Sequence, residues 1–272
     1  MVGRKLAGIG GRIYLVLIFI FLYGPIATLI VLSFNESRFR TKWGGFSLKW
    51  YESLFSSRDI MDALWTTLWL AFVSALIATV LGTAAAFAMN RMKRLPRMVL
   101  ITVTNIPMLN ADIVTGISLM LLFLALNYRL GFSSVLFAHI TFNLPYVVLS
   151  VLPKLKQMNR SVYEAALDLG ATRQYAFLKV IFPDIVPGIL TGFLLSFTMS
   201  LDDFVITHFT KGVGIDTLST KIYAEVRKGI KPEIYALSTI LFVTVFVMLV
   251  LVNRGNGIAR GDGKKDIKDG RI

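Results

Sequence analysis

Six long apolar runs, separated by shorter polar or charged segments, set the rhythm of the chain: Ile13 to Phe34, Leu64 to Asn90, Met98 to Leu126, Gly131 to Leu152, Ile185 to Thr207 and Ile234 to Val252. At about 1.5 Å of rise per residue, roughly 20 apolar residues of helix cross a hydrocarbon core about 30 Å thick, and each run is near or above that length. In lipid every backbone N–H and C=O must be satisfied within a helix or a closed barrel. Strict alternation of apolar and polar positions is absent. The runs therefore predict an all-α integral membrane protein with six transmembrane helices. The first run follows MVGRKLAGIGGR, outlasts a signal-peptide core and has no small-residue cleavage site, so it is expected to be retained.

Composition agrees: 55% of the 272 residues are hydrophobic, 20 are Phe, and the mean hydropathy is +0.67. Charge then sets orientation. With the N-terminus inside, 18 of the 29 lysines and arginines fall on the inner side, and the tight loop RMKRLPR carries four of them. Both termini are expected in the cytoplasm, with residues 1–12 before a transmembrane domain at 13–252 and a basic tail at 253–272. The net charge of +13 is spread among loops and not interleaved with aromatics on one soluble domain, which argues against nucleic acid as a partner. Zero cysteine excludes disulfides and thiolate metal sites. No phosphate-cradling G-x-x-x-x-G-K-[ST], H-E-x-x-H or G-x-S-x-G stretch occurs, so neither an enzyme nor a cofactor or metal site is expected, and any energy source lies on another chain. His139 and His208 are too far apart for a helical metal pair, and His139 reads as a polar contact between helices.

One polar interruption is unusual. EAALDLGATRQYAFLKVIFP, residues 164 to 183, lies between the fourth and fifth runs. Ser161, with Glu164 three residues on, has capping-box spacing and predicts a short helix. Ala165, Ala166 and Leu169 would form its small apolar face, Gly170 would end or bend it at positive φ, and Pro183 would close a second amphipathic piece before the membrane. Periodicity alone reads this as a helix lying on lipid headgroups. The spacing, however, resembles the EAA loop of ABC importer permeases, matched by Glu164, Ala165, Ala166, Gly170 and Pro183, with Val180 and Phe182 replacing the usual Ile and Leu. That resemblance implies a type I ABC importer permease fold, in which the loop at 153–184 docks on a separate ATPase subunit as a coupling helix.

Ionisable groups inside apolar runs are costly and mark candidate function; Asp112, Asp202 and Asp203 qualify. Pro107 should weaken its helix, so Asn110 or Asp112 would cap the resumed half or Asp112 would contact cargo, and one carboxylate can do both. Asp202 and Asp203 stand near the outer end of the fifth run, where the helix dipole disfavours carboxylates and no cap is expected to explain them; the plainer alternative places them just beyond the hydrocarbon, solvated at the outer headgroups.

SFNESRF, GFSLKWY, ADIVTGISL, FAHITFNLP, YEAALDLGA and LSFTMSLDDFV together are similar to permeases of spermidine/putrescine ABC importers, over most of the chain. The resemblance implies a bacterial inner-membrane subunit with polyamine cargo, a second permease, two ATP-binding subunits and an extracytoplasmic solute-binding protein. It also favours Asp202 with Ser200 as the pathway pair. Trp43, Trp50 and Tyr51 would offer aromatic surfaces to an ammonium chain or, more simply, anchor the interface, with Trp50 and Leu54 paired along a helix. Two alternatives stand beside this: an importer of another cationic or amino-acid solute, and a gradient-driven secondary transporter. The latter calls for paired broken helices, whereas the sequence suggests one break, near Pro107.

Overall fold

The apolar runs emerge as helices in a computed structural model that describes residues 2–39, 41–229, 231–243 and 246. In chain order they are α1 (Val2–Ser33), α2 (Lys49–Ser56), α3 (Arg58–Arg91), α4 (Arg94–Leu109), α5 (Asp112–Ala125), α6 (Phe132–Gln157), α7 (Arg160–Asp168), α8 (Arg173–Ala176), a π-turn (Phe177–Ile181), α9 (Phe182–Asp202), α10 (Val205–Thr210), α11 (Leu218–Lys228) and α12 (Pro232–Val243). Four stretches are long and apolar enough to span a membrane alone: Tyr14–Ser33, Arg58–Arg91, Phe132–Gln157 and Arg173–Asp202. The pair α4 and α5 passes the same test jointly. Of the predicted sixth span, α12 and Phe246 are described; residues 244–245 and 247–252 and the tail at 253–272 lie outside the described residues.

Two predicted spans are broken. The third, expected to run from Met98 to Leu126, bends by 105° between α4 and α5. Asn110 and Ala111 both adopt extended backbone, with ψ of 151° and 137°, and turn the chain just after Pro107. The fifth, expected to reach Thr207, stops at Asp202, and the chain restarts as α10.

By contacts the chain divides into a unit from Asp59 to Ala224 and a unit formed by the segments up to Arg58 and from Glu225. In the first, α6 and α9 pack along a row of small residues on α9: Gly188, Gly192, Ser196 and Ser200, all buried at four-residue spacing. A Cβ on Gly188 would come within 2.9 Å of the Ser150 carbonyl oxygen, and one on Gly192 within 3.1 Å of the Val147 Cα. Without a hydrophobic drive between helices in lipid, such close backbone approach supplies the packing attraction. On the other side of Val147, a Cβ on Gly82 of α3 would sit 2.7 Å from the Val147 Cβ.

The second unit is organised by Asn35. Its Oδ1 accepts from the amides of Gly44 (2.8 Å) and Ser37 (3.2 Å), its Nδ2 donates to the Lys42 carbonyl (3.0 Å), and its own carbonyl accepts from the Trp50 indole at 2.6 Å. Trp50 is 3% exposed and shares the buried face of α2 with Leu54, as their spacing predicts. Phe34 stacks on Phe46 at 5.1 Å, and the Tyr51 hydroxyl meets Ser33 at 2.8 Å.

Candidate functional site

The helices that follow the two breaks pack together. Short α10 packs against α5 and α6, close enough that a Cβ on Gly116 of α5 would lie 3.2 Å from the Phe209 ring and 3.4 Å from the Ile206 Cα. Phe123, Ala138, Phe142 and Ile206 form the apolar cluster around this junction.

Asp203, predicted to have no capping role, caps α10. Its carboxylate accepts from the backbone N–H groups of Ile206 (3.2 Å) and Thr207 (2.8 Å), and from the Thr207 hydroxyl (2.8 Å). The break places it ahead of a new helix N-terminus, where negative charge is favoured, in place of the C-terminal end of a continuous span. Behind it lies His139 of α6, fully buried, with Nε2 2.8 Å from Thr207 Oγ1 and 3.4 Å from Asp203 Oδ2, and Nδ1 2.6 Å from Ser200 Oγ. Because the Thr207 hydroxyl donates to Asp203, its oxygen is left to accept from Nε2–H, and Nδ1 then accepts from Ser200. Ser200 also meets Ser74 of α3 at 3.1 Å. His139 thus is the polar contact between helices that the sequence suggests, and it grips both sides of the break: Ser200 before it, Asp203 and Thr207 after it.

Asp112 and Asp202 stand apart from this network. Both are exposed. Neither Asn110 nor Asp112 caps α5; Ala111 occupies the N-cap, and Asp112 sits in the first turn, where the dipole favours it. Asp202 closes α9. Tyr146 of α6, half-buried, packs against the apolar cluster at the junction. Tyr146 and Thr207 were not singled out in the sequence, because no spacing rule links a residue to partners on other helices or across an unpredicted break. Trp43 is exposed, whereas Trp50 is enclosed in its own loop.

In the polar loop, Asn159 and not Ser161 caps α7: its side chain accepts from the Ser161 amide at 3.0 Å. The helix therefore begins two residues before the expected box. Gly170 takes φ +88°, and the bonds Gly170 N–H to Leu167 O (2.9 Å) and Ala171 N–H to Ala166 O (3.1 Å) close α7 as a Schellman motif. Glu164 and Ala165 face outward with Leu169, which is 89% exposed, while Ala166 and Leu167 are half-buried; the apolar face is thus rotated from the predicted one. Pro183 does not end the following helix. It is the second residue of α9, and the π-turn before it, with Phe182 N–H bonded to Phe177 O, lets the chain run on from Arg173 to Asp202.

The family model for binding-protein-dependent transport system inner membrane components matches residues 78–256. The chain belongs to this family. Among its curated relatives, this permease is 41% identical over 250 residues to the spermidine/putrescine transport system permease protein PotC of Escherichia coli (strain K12), covering 92% of this chain and 93% of that one. It is 38% identical over 246 residues to the putrescine transport system permease protein PotI of the same strain, covering 87% and 86%. The crystal structure of a bacterial ABC transporter involved in the import of the acidic polysaccharide alginate aligns with a TM-score of 0.72 at 20% identity, over 95% of this chain and 96% of that one. A chain of the MetNI methionine ABC transporter aligns at 0.58 and 19% identity, over 75% and 98%. These likenesses establish the fold: a multi-pass helical permease of the ABC importer type.

Proposed function

We propose that this chain is the transmembrane permease subunit of an ATP-driven polyamine importer, working with a second permease, two ATP-binding subunits and an extracytoplasmic solute-binding protein in a bacterial inner membrane. The 41% identity to PotC over most of both chains supports the cargo class. The observation that carries the chemistry is that two exposed carboxylates, Asp112 and Asp202, each stand at a break in an apolar span, with the helices after the two breaks, α5 and α10, packed together. A carboxylate inside an apolar bundle is costly until a cation neutralises it. An ammonium group leaving water is compensated there by charge-assisted hydrogen bonds, and its methylenes by apolar walls such as the Tyr146 ring. Ser200 and Asp203 act one step back by holding the break that presents Asp202. Trp43, exposed in its loop, fits an entry surface, and Trp50 supports that loop from within.

The loop at 153–184 is the coupling handle in this reading, with Glu164 and Ala165 outward toward an ATPase subunit, Ala166 and Gly170 setting its shape, and Pro183 inside the helix it drives. Both termini lie in the cytoplasm, the tail at 253–272 included. Alternating access exposes the acids first outside, then inside, as ATP binding on the partners shifts the populations. Cargo of another cationic or amino-acid class would use the same acids. Two breaks, in place of the single predicted one, remove the structural ground for setting aside a gradient-driven transporter; family membership supplies a stronger one.

The test is ATP-dependent uptake of labelled spermidine and putrescine into vesicles holding the complete complex. Asp202→Asn is expected to lower uptake about ten- to hundredfold, the range for losing one charge-assisted bond. Absence of uptake by a native complex that hydrolyses ATP would refute polyamine as cargo.

A further inference from the structure

At the end of the helical unit that carries the basic segment 91–97, a cavity of about 760 Å³ opens between the last residue of α3, the body-facing side of α7 and the α8 and π-turn segment. Arg91, Arg173, Gln174 and Tyr163 supply its polar wall, and Phe177 and Leu178 its apolar wall. No acidic residue lines it. The Arg91 guanidinium lies 6.0 Å from the Phe87 ring centroid, and Phe87 in turn meets Phe177 edge-on at 5.1 Å, so an aromatic shelf orients it. Among the described residues neither Arg91 nor Arg173 forms an ion pair.

Position narrows the occupant. Arg91 ends a spanning helix of 34 residues, which sets it at headgroup depth. From the cavity, exposed Leu178 and Phe182 continue along the outside of the apolar helix, a surface suited to an acyl chain. Two guanidiniums without counter-ions fit the non-esterified oxygens of a phosphate, which they bind in a fork geometry, and basic pockets between spanning helices are a known form of lipid recognition. A free phosphate shares the charge and has no use for the apolar track.

We propose that this cavity binds the phosphate headgroup of an anionic membrane lipid, held by Arg91 and Arg173 with Gln174 and Tyr163 as further donors. The lipid then bridges the end of α3 to the polar loop.

The test uses the complete complex extracted from phosphatidylcholine vesicles doped with phosphatidylglycerol, with retained lipid measured by native mass spectrometry. The native complex is expected to retain phosphatidylglycerol in preference to phosphatidylcholine. R91Q/R173Q should weaken retention roughly fivefold per arginine, on the order of 25-fold in all. K93Q/R94Q, which removes the same number of charges beside Arg91 without touching the cavity, should leave it unchanged. R91K/R173K, which keeps the charge and loses the fork, should restore retention only in part, to a level between the native complex and R91Q/R173Q, separating a lost site from a misfolded one. Retention unaffected by R91Q/R173Q overturns the proposal, as does a native complex without lipid preference. Full displacement of the lipid by inorganic phosphate at matched concentration would assign a soluble anion. Loss of the ATPase subunits from R91Q/R173Q with lipid still bound would give the cavity to a protein contact.

Discussion

Asp202 and Asp203 are neighbours in sequence with separable duties, because the break between α9 and α10 leaves one exposed and folds the other into a cap. Asp203→Ala strips the acceptor from two backbone amides and should cost about 0.5 to 2 kcal/mol, read as a lower Tm of the complex. Asp202→Asn, by contrast, should leave Tm within error while uptake falls. His139→Leu leaves Ser200, Thr207 and Asp203 short of a partner at once, and a loss of roughly 2 to 4 kcal/mol is expected, with Tm as the readout. A different pair responds to acid. Burial works to raise the Asp216 carboxyl, but the hydrogen bond and charge of Lys211 hold it below the ordinary carboxylate range. A group lowered in this way adds stability that is fully present above the unfolded value of about 3.9 and is lost as pH falls through the folded value. The stability gap between the native chain and Asp216→Asn should therefore close on acidification below about pH 4, and a gap independent of pH would refute the pairing.

At the scale of the element, hydropathy made the spans legible and hid their interruptions. A break costs little in apolar content: α4 and α5 are as hydrophobic as a continuous span, and only the extended backbone at Asn110 and Ala111 divides them. The cap at Asp203 was illegible for the same reason, since a capping role appears only once a helix is known to start there. In the polar loop the residue types were read correctly and the register was not; Asn159 lies two positions ahead of Ser161 and is as good an N-cap. Pro183 misled because proline stops a helix only if the neighbouring carbonyls keep their usual partners, and the π-turn reassigns them. Gly170 was legible, because only its φ suits the end of α7. Gly170→Asp should distort the Schellman motif and uncouple ATP hydrolysis from uptake in the assembled complex; full transport by that variant would detach the loop from coupling.

For the whole molecule, the distribution of lysine and arginine carries the orientation, and the lack of cysteine makes it directly testable. A single Gly263→Cys substitution in the basic tail introduces the only thiol of the chain. A membrane-impermeant maleimide should label it in inside-out vesicles and spare it in intact cells; the opposite pattern would invert the topology. The run from Arg173 to Asp202 joins the two halves of the proposed function within one element of 30 residues, about 45 Å long. Its foot lies in the loop at 153–184, the proposed coupling handle, and its tip is the candidate cargo acid. On the proposed function, a push at the foot reaches the tip through this one element, as through a lever. The π-turn is that lever's pivot, where a shift of hydrogen-bond register would re-aim Asp202.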